Sequence, residues 1–231
     1  MKKITIGVTD CSKYEKYASW ISQETDIEVV KLGYTLNNLE EIKKCNGILL
    51  TGGEDVHPRF YNEPELLKFC YADDVDERRD EFELQVIDYT QKQRLPLLGI
   101  CRGQQIANVF FGGSLIPDLP SFGKFNHSKF GEGNDRYHSI TIDPNSQLQK
   151  ITEATLGEIN SAHHQSVNRV GDGLVANCFS VEGVIEGLER INSVDYSYLM
   201  LVQWHPERMK DQMSPLTKKI KDSFLMEVRN L

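Results

Sequence analysis

The segment of residues 97–105 constrains the fold of this chain more than any other. Its first four residues, Leu97–Ile100, are apolar or small and predict a buried strand, which ends in the pattern Gly-x-Cys-x-Gly just before a predicted helix. This is the cysteine counterpart of the Gly-x-Ser-x-Gly nucleophile elbow, a strained strand-to-helix turn that exposes the nucleophile above a sheet. Flanking glycines are needed because neighbouring backbone comes too close for a Cβ atom. The pattern therefore predicts an α/β fold with Cys101 at the carboxyl end of a strand.

The predicted turn also suits thiol chemistry. It places Cys101 at a helix N-terminus, whose positive end favours the nucleophilic thiolate. The alternative is a buried structural cysteine, which is the assignment for the cysteines that lack flanking glycines and a following helix: Cys11, Cys45, Cys70 and Cys178. An odd number of cysteines without Cys-x-x-Cys pairs fits reduced thiols, and the first eight residues lack the apolar core of a secretory signal. A cytoplasmic location is expected.

Residues 201–207 supply a candidate general base. An apolar stretch predicts a strand that ends at His205, and Pro206 biases His205 towards extended backbone. Residues i and i+2 of an extended chain point to the same side, so the Glu207 carboxylate can reach the His205 imidazole. A surface His-Pro-Glu turn is the alternative for this segment alone. Together with the cysteine motif, the segment predicts a triad in which Cys101 attacks, His205 transfers protons and Glu207 orients the imidazole.

The rest of the first half alternates strands and helices, which implies βαβ units and a parallel sheet. Strands are predicted at 3–8, 27–31 and Gly47–Leu50, and helices at 14–24, 36–45 and 80–94. In the second half, strands separated by turn residues predict antiparallel additions to the sheet, followed by a helix at 214–229; these strands are residues 137–142, 174–177, 184–189 and 198–204.

The overall composition limits the number of domains and the kinds of partner. At 231 residues without an internal repeat or linker, residues 1–231 are predicted to form a single domain. The formal net charge of −8, with no run of lysine and arginine, argues against nucleic acid or an anionic membrane as a partner. The oligomeric state is left open, and a homodimer is compatible with the sequence.

Two segments resemble the signature motifs of the class I glutamine amidotransferases. Residues 99–105 are similar to the nucleophile elbow of that family, and residues 202–207 to its His/Glu pair. The resemblance implies an α/β flavodoxin-like three-layer sandwich, with a mostly parallel central sheet and antiparallel additions in the C-terminal half. It also implies catalysis without a cofactor.

Acyl transfer needs hydrogen-bond donors aimed at the developing oxyanion. The backbone N–H of Arg102, at the predicted helix start, is one candidate. Residues 51–53, Thr-Gly-Gly, form a suitable second loop, for which an ordinary turn is the alternative. Because the family places its other donor in such a loop, the resemblance implies Gly53 as that donor and Gly52 beside the substrate.

Further substrate contacts are implied by the resemblance. Gln105 matches a family glutamine that lies beside the bound glutamyl group, although a solvated helix residue is the alternative. His163, His164 and Gln165 lie in the polar segment 160–165 and are predicted substrate contacts. Adjacent histidines also suggest a metal, but no His-Glu-x-x-His or Cys/His spacing completes a zinc site, so no metal is expected.

Several stretches resemble one branch of the family, the γ-glutamyl-γ-aminobutyrate hydrolases; they are residues 51–58, 76–83, 108–115, 160–165 and 184–186. Within the second stretch, Asp80 fits a helix N-cap and Glu83 the far end of a capping box. This local explanation leaves Arg79 without a role, and Arg79 is therefore predicted to face the mouth of the site and bind substrate.

The branch implies a stand-alone hydrolase that cleaves a small-molecule γ-glutamyl amide. Cys101 would attack the γ-carbonyl to form a thioester, His205 would protonate the departing amine, and water would release glutamate. One alternative is a glutaminase subunit that supplies ammonia to a separate synthetase through the same triad. Another is a catalytically silent binding protein, against which the intact triad argues.

Overall fold

The first half of the chain forms parallel strands joined by helices, as the sequence predicts. The computed structural model describes residues 3–71, 74–131, 133–192 and 196–231. The strands are β1 (Ile4–Thr9), β2 (Ile27–Leu32), β3 (Gly47–Leu50) and β4 (Leu97–Ile100). The helices are α1 (Tyr14–Ile21), α2 (Glu77–Gln93) and α3 (Arg102–Phe110). Parallel pairing joins β2 to β1, β1 to β3 and β3 to β4.

The second half extends this sheet. Its strands are β5 (Leu115–Ile116), β6 (Arg136–Ile142), β7 (Leu156–Ser161), β8 (Ser166–Val167), β9 (Leu174–Ser180), β10 (Ile185–Arg190) and β11 (Leu199–Val202). Its helices are α4 (Gln147–Thr152) and α5 (Lys218–Arg229). The strand order is β2-β1-β3-β4-β11-β10-β9-β6-β7, with the short strand β8 beside β10 and β5 beside β8. Strands β5, β7 and β8 and helix α4 were not predicted from the sequence.

Strand β11 corrects one sequence prediction. It pairs antiparallel with β10, as expected, but parallel with β4, so it belongs to the parallel half of the sheet. Strand β10 runs opposite to β4. Because β11 runs opposite to β10, it has the same direction as β4. Val202 lies opposite Ile100 in the register. The residues that follow β4 and β11 therefore emerge at the same edge of the sheet.

The predicted helix at 36–45 is confirmed only in part, since a 3₁₀ helix spans Leu39–Lys44 and no α-helix forms there. The chain forms separate 3₁₀ turns there because Asn37 has left-handed backbone (φ 49°) and the Asn38 side chain bonds the backbone of Lys31 and Gly33. The 3₁₀ helices of the described residues are Tyr34–Leu36, Leu39–Lys44, Pro58–Tyr61, Pro64–Phe69, Pro120–Phe122 and Pro206–Arg208.

Helices cover both faces of the sheet. One apolar core contains side chains of α1, α4 and α5, including Trp20, Leu148 and Phe224. The core on the other face contains side chains of α2 and α3, including Val86 and Ile106. These three layers confirm the predicted α/β fold class. Within the described part of the chain, no helix has both the length and the apolar character required to span a membrane.

Candidate active site

Cys101 occupies a strained turn between β4 and α3. Its backbone has φ 55° and ψ −107°, a conformation that an L-residue adopts only where its surroundings enforce it. The Cys101 N–H donates to the carbonyl of Val202 at 2.8 Å, which ties the turn to β11. A Cβ atom at Gly103 would lie 2.5 Å from the carbonyl oxygen of Leu50. The glycine after Cys101 is thus required by close backbone approach, as the sequence pattern suggests.

Two residues fix the position of His205: Asn160 bonds to its backbone and Glu207 to its imidazole. The Asn160 side chain accepts from the His205 N–H at 2.9 Å and donates to the His205 carbonyl at 3.1 Å. The imidazole Nδ1 lies 2.9 Å from Oε1 of Glu207, the contact that the i, i+2 spacing predicts. An Nδ1–H donated to this carboxylate leaves Nε2 as the nitrogen that can take up or release a proton.

Cys101 and His205 share one cavity of about 210 Å³. The two side chains lie close together beside Gly52. A Cβ atom at this position would lie 3.0 Å from Cε1 of His205 and 3.5 Å from Cβ of Cys101. Both residues are almost fully buried. The structure therefore brings the predicted nucleophile and base to the same side of the sheet, at the carboxyl ends of adjacent parallel strands.

The surroundings of His205 favour its protonated form. Burial opposes the imidazolium charge, but the Glu207 carboxylate, with a smaller contribution from Cys101, raises the pKa of His205 to about 9. The Tyr17 hydroxyl lies 3.3 Å from Nδ1 and accepts from the Gly52 N–H at 3.1 Å. Burial raises the pKa of Tyr17, so this hydroxyl stays neutral. The helix that carries Tyr17 was predicted from the sequence, but a role for its hydroxyl was not.

Both segments predicted to form the oxyanion hole adjoin Cys101, since a Cβ atom at Gly52 would lie 3.5 Å from Cβ of Cys101 and Arg102 follows Cys101 in the chain. Gly52 and Gly53 line the cavity, and Gly53 has φ 143°, which strongly favours glycine. The guanidinium of Arg102 pairs instead with the buried carboxylates of Asp80 and Glu83. Only the backbone N–H of Arg102, in the first turn of α3, remains for an oxyanion. The oxyanion role of this N–H stays a prediction.

Arg79 lies behind the glycine loop rather than at the mouth of the cavity. It is 5% exposed, and its guanidinium donates to Oγ1 of Thr51 at 3.1 Å and to the carbonyl of Gly52 at 2.9 Å. It also pairs with Glu54 and Glu83. These contacts give Arg79 a positioning role for the loop. Arg79 also lines an adjoining cavity of about 290 Å³, and its contact with substrate stays a prediction.

The predicted N-cap at Asp80 is wrong. Helix α2 begins three residues earlier, with Asp76 as its cap, whose side chain accepts from the N–H groups of Arg78 and Arg79. Asp80 lies inside the helix with its carboxylate turned towards Arg102. Tertiary ion pairing therefore replaces the local capping box that the sequence pattern favoured.

Gln105 and residues 163–165 lie outside the set of residues that line the cavity. The Gln105 amide donates to the carbonyl of Gln165 at 2.9 Å and to the side-chain oxygen of Gln203 at 3.2 Å. Gln203 in turn donates to Sγ of Cys101 at 3.5 Å. Gln105 is thus linked to the Cys101 sulfur through Gln203, for which no sequence pattern predicted a role.

The neighbouring predicted contacts are also bound to protein groups. His164 lies between the carboxylates of Asp55 (2.7 Å) and Asp118 (3.2 Å) and stacks on Tyr71. Gln165 accepts from the N–H of Val56 and donates to Sγ of Cys70. His163 is buried among other histidines. These three side chains join parts of the fold, and their predicted contact with substrate lacks support in this geometry.

The cavity beside Cys101 is lined by charged side chains that were not predicted from the sequence. Lys13 and Lys129 lie close enough that Lys13, together with burial, lowers the pKa of Lys129 to about 8. Glu54 and Asp74 add negative charge elsewhere on the wall. These residues come from separate loops without a recognisable motif, so only the folded chain shows that they meet. The cavity can hold a small molecule that carries charges of both signs.

Known proteins resemble this chain over most of its length. The model of the family described as peptidase C26 matches residues 14–207. A putative glutamine amidotransferase-like protein of Rickettsia prowazekii is 32% identical over 77% of this chain and 75% of its own length. The γ-glutamyl-γ-aminobutyrate hydrolase PuuD of Escherichia coli is 28% identical over 72% of this chain and 65% of its own length.

Solved structures show the same fold. A glutamine amidotransferase from Thermotoga maritima superposes with a TM-score of 0.64 at 16% identity, covering 98% of this chain and 86% of that one. The likeness extends over the parallel and antiparallel halves of the sheet alike. Relatives of this kind support a glutamine amidotransferase-like or γ-glutamyl hydrolase activity. The chain belongs to the peptidase C26 family.

Proposed function

We propose that this chain hydrolyses γ-glutamyl amide bonds, as in γ-glutamyl-γ-aminobutyrate or a related γ-glutamyl amine or peptide. The observation that carries the proposal is the shared cavity of Cys101 and His205, with Glu207 bonded to the far side of the imidazole. The similarity to a γ-glutamyl-γ-aminobutyrate hydrolase supports the choice of bond.

The proposed reaction uses this chain's own groups at every step. The Cys101 thiolate attacks the γ-carbonyl carbon, and the oxyanion that forms accepts from the N–H groups of Gly53 and Arg102. His205 gives its proton to the nitrogen of the leaving amine as the C–N bond breaks, which leaves a γ-glutamyl thioester. Water then attacks the thioester with His205 as general base, and glutamate departs as the Cys101 sulfur regains its original state.

The charges of the cavity match the α-amino acid end of a γ-glutamyl group. An α-carboxylate can pair with Lys13 and Lys129, whose mutual repulsion an anion would relieve. An α-ammonium group can pair with Glu54 or Asp74. The volume of about 210 Å³ lies below the range of drug-sized sites and suits an amino acid. An adjoining cavity of about 290 Å³, which shares Ser12 and Glu54, offers room for the amine.

The rate should fall at alkaline pH. Since the pKa of His205 is raised to about 9, the imidazolium needed to protonate the amine is present below this pH and lost above it. Glu207→Gln removes the carboxylate that raises this pKa, so the alkaline limb of kcat/KM should move to lower pH in the variant. Rate profiles of both proteins between about pH 6 and pH 10.5 check this expectation. Coincident alkaline limbs would show that Glu207 does not set the protonation of His205.

A substrate panel tests the proposed function. The purified chain, with no partner added, is assayed for glutamate release from γ-glutamyl-γ-aminobutyrate, other γ-glutamyl amines, γ-glutamyl peptides and glutamine. We expect turnover of at least one γ-glutamyl amide in preference to glutamine. The matched α-glutamyl isomers should be inert. In these compounds the scissile amide is on the α-carbon and the free carboxylate is on the side chain, so neither group meets the partner it would have in a γ-glutamyl amide. Hydrolysis of glutamine alone, rising when an acceptor synthetase is present, would favour an amidotransferase subunit instead.

A further inference from the structure

A second group of reactive side chains lies apart from the residues that line the cavity. It comprises His127, in the loop before β6, His138 on β6, His163 after β7 and Glu186 on β10. One donor atom from each residue lies within 4.8 Å of the others. The side chains of His127, His163 and Glu186 are 3%, 2% and 0% exposed, and that of His138 is 22% exposed. The group is therefore buried, with His138 at its edge.

The atoms that face one another in this group have no hydrogen-bond partner among the described residues. They are Nδ1 of His127, Nε2 of His138, Nε2 of His163 and both carboxylate oxygens of Glu186. Nδ1 of His127 and Nε2 of His138 lie 3.2 and 3.4 Å from Oε1 of Glu186, and Nε2 of His163 lies 3.8 Å from Oε2. Buried polar atoms without partners are rare in proteins, and five in one place require an explanation.

Each of these histidines has a second ring nitrogen, the outer one, that points away from Glu186. The contacts of the outer nitrogens indicate which ring atoms carry protons. Nε2 of His127 lies 2.6 Å from a carboxylate oxygen of Glu182. Nδ1 of His138 and Nδ1 of His163 lie 3.2 and 2.9 Å from the backbone carbonyls of Ser139 and Gln165. Each outer nitrogen therefore donates an N–H to an acceptor, which leaves the inner nitrogen of a neutral imidazole as a lone pair. With all three imidazoles neutral, three lone pairs and the Glu186 carboxylate converge at the centre of the group.

We propose that His127, His138, His163 and Glu186 bind one divalent transition metal ion, with Zn²⁺ the best match. Ligand atoms bonded at about 2.1 Å to a tetrahedral ion stand roughly 3.4 Å apart, and the separations to Glu186 bracket this value. Outer nitrogens bonded to a carboxylate or a carbonyl are the usual support of metal-bound histidines. Four protein ligands close the coordination shell, which is typical of a structural zinc site rather than a catalytic one.

The position of the group indicates what the ion would hold together. His163 follows Ala162, which lines the cavity of Cys101. The carbonyl of Glu186 accepts from the N–H of Gln203, the residue that contacts the Cys101 sulfur. A metal would thus fix the wall of the active site to β6 and β10. This site could not be predicted from the sequence, because its ligands are separated by 11, 25 and 23 residues along the chain and form no local motif.

Metal binding can be measured without reference to activity. The full chain is stripped with a chelator, and Zn²⁺ is titrated back in competition with a chromophoric indicator. We expect one Zn²⁺ per chain and a rise in Tm on binding. Glu186→Gln and His138→Gln should weaken binding by about 10–100-fold or more. The matched control His57→Gln, at a histidine outside the group, should bind as the unmodified chain does.

X-ray absorption at the zinc edge of the unmodified protein decides the ligand set even if a variant fails to fold. Three imidazole nitrogens and one carboxylate oxygen at about 2.0–2.1 Å are expected. Sulfur in the first coordination sphere, no stoichiometric Zn²⁺ binding, or equal affinity in folded Glu186→Gln and control proteins would each overturn the proposal. Absent stoichiometric binding or equal affinity would mean that one protonated histidine pairs with the Glu186 carboxylate in place of a metal ion.

Discussion

Replacing Cys101 by alanine is expected to lower kcat/KM for γ-glutamyl amide hydrolysis by on the order of 10⁴-fold or more. The variant retains the glycine loop and the helix N-terminus but has no atom that can form the thioester. Any residual rate would come from water bound in the same cavity. Initial rates of glutamate release, measured with enzyme concentrations high enough to detect this residual rate, give the ratio directly.

A neighbouring thiol provides the matched control for this experiment. Cys11 also lines the cavity, and burial raises the pKa of its thiol, which makes it a poor nucleophile at neutral pH. Cys11→Ala should therefore keep activity of the same order as the unmodified protein. Mass spectrometry after treatment with an electrophilic glutamine analogue should find the adduct on Cys101 and none on Cys11. A Cys101→Ala protein that still cleaves γ-glutamyl amides would refute the assignment of the nucleophile.

The proximity of Cys101 and His205 could be predicted because each lies just beyond an apolar strand with a local motif. Parallel strands present their carboxyl ends at one edge of a sheet, and residues that follow such strands meet there. What the sequence did not reveal is that β11 is the strand adjacent and parallel to β4. The strand spacing alone suggested an antiparallel addition, since β10 and β11 are joined without a long helix.

The remaining features of the site depend on contacts between distant segments. Asp80 and Glu83 fit a capping box in the local pattern, yet both carboxylates are buried against Arg102, whose charge they neutralise. An unpaired buried guanidinium would be far more costly than a lost cap, so these two carboxylates pair with Arg102 while Asp76 caps the helix. The same reasoning applies to Lys13 and Lys129, which meet only in the folded chain.

His205→Ala is expected to lower kcat/KM by on the order of 10⁴-fold or more. The loss in Glu207→Ala should be about 10- to 100-fold smaller than the loss in His205→Ala. Loss of the imidazole removes both the base that activates Cys101 and the acid that protonates the amine. Loss of the carboxylate leaves the imidazole in place, because Asn160 holds its backbone and the Tyr17 hydroxyl remains 3.3 Å from Nδ1. The rates of both variants are compared under identical conditions with the unmodified protein.

The basicity of the leaving amine separates the two roles of His205. An alkylamine must be protonated before it departs, whereas p-nitroaniline leaves with little assistance. The loss caused by His205→Ala should therefore be smaller with γ-glutamyl-p-nitroanilide than with a γ-glutamyl alkylamide, while Glu207→Ala should show a weaker dependence on the amine. Equal losses with both substrates would exclude His205 as the general acid. A larger loss for Glu207→Ala than for His205→Ala would reverse the assignment of base and orienter, and would leave Cys101 as the nucleophile.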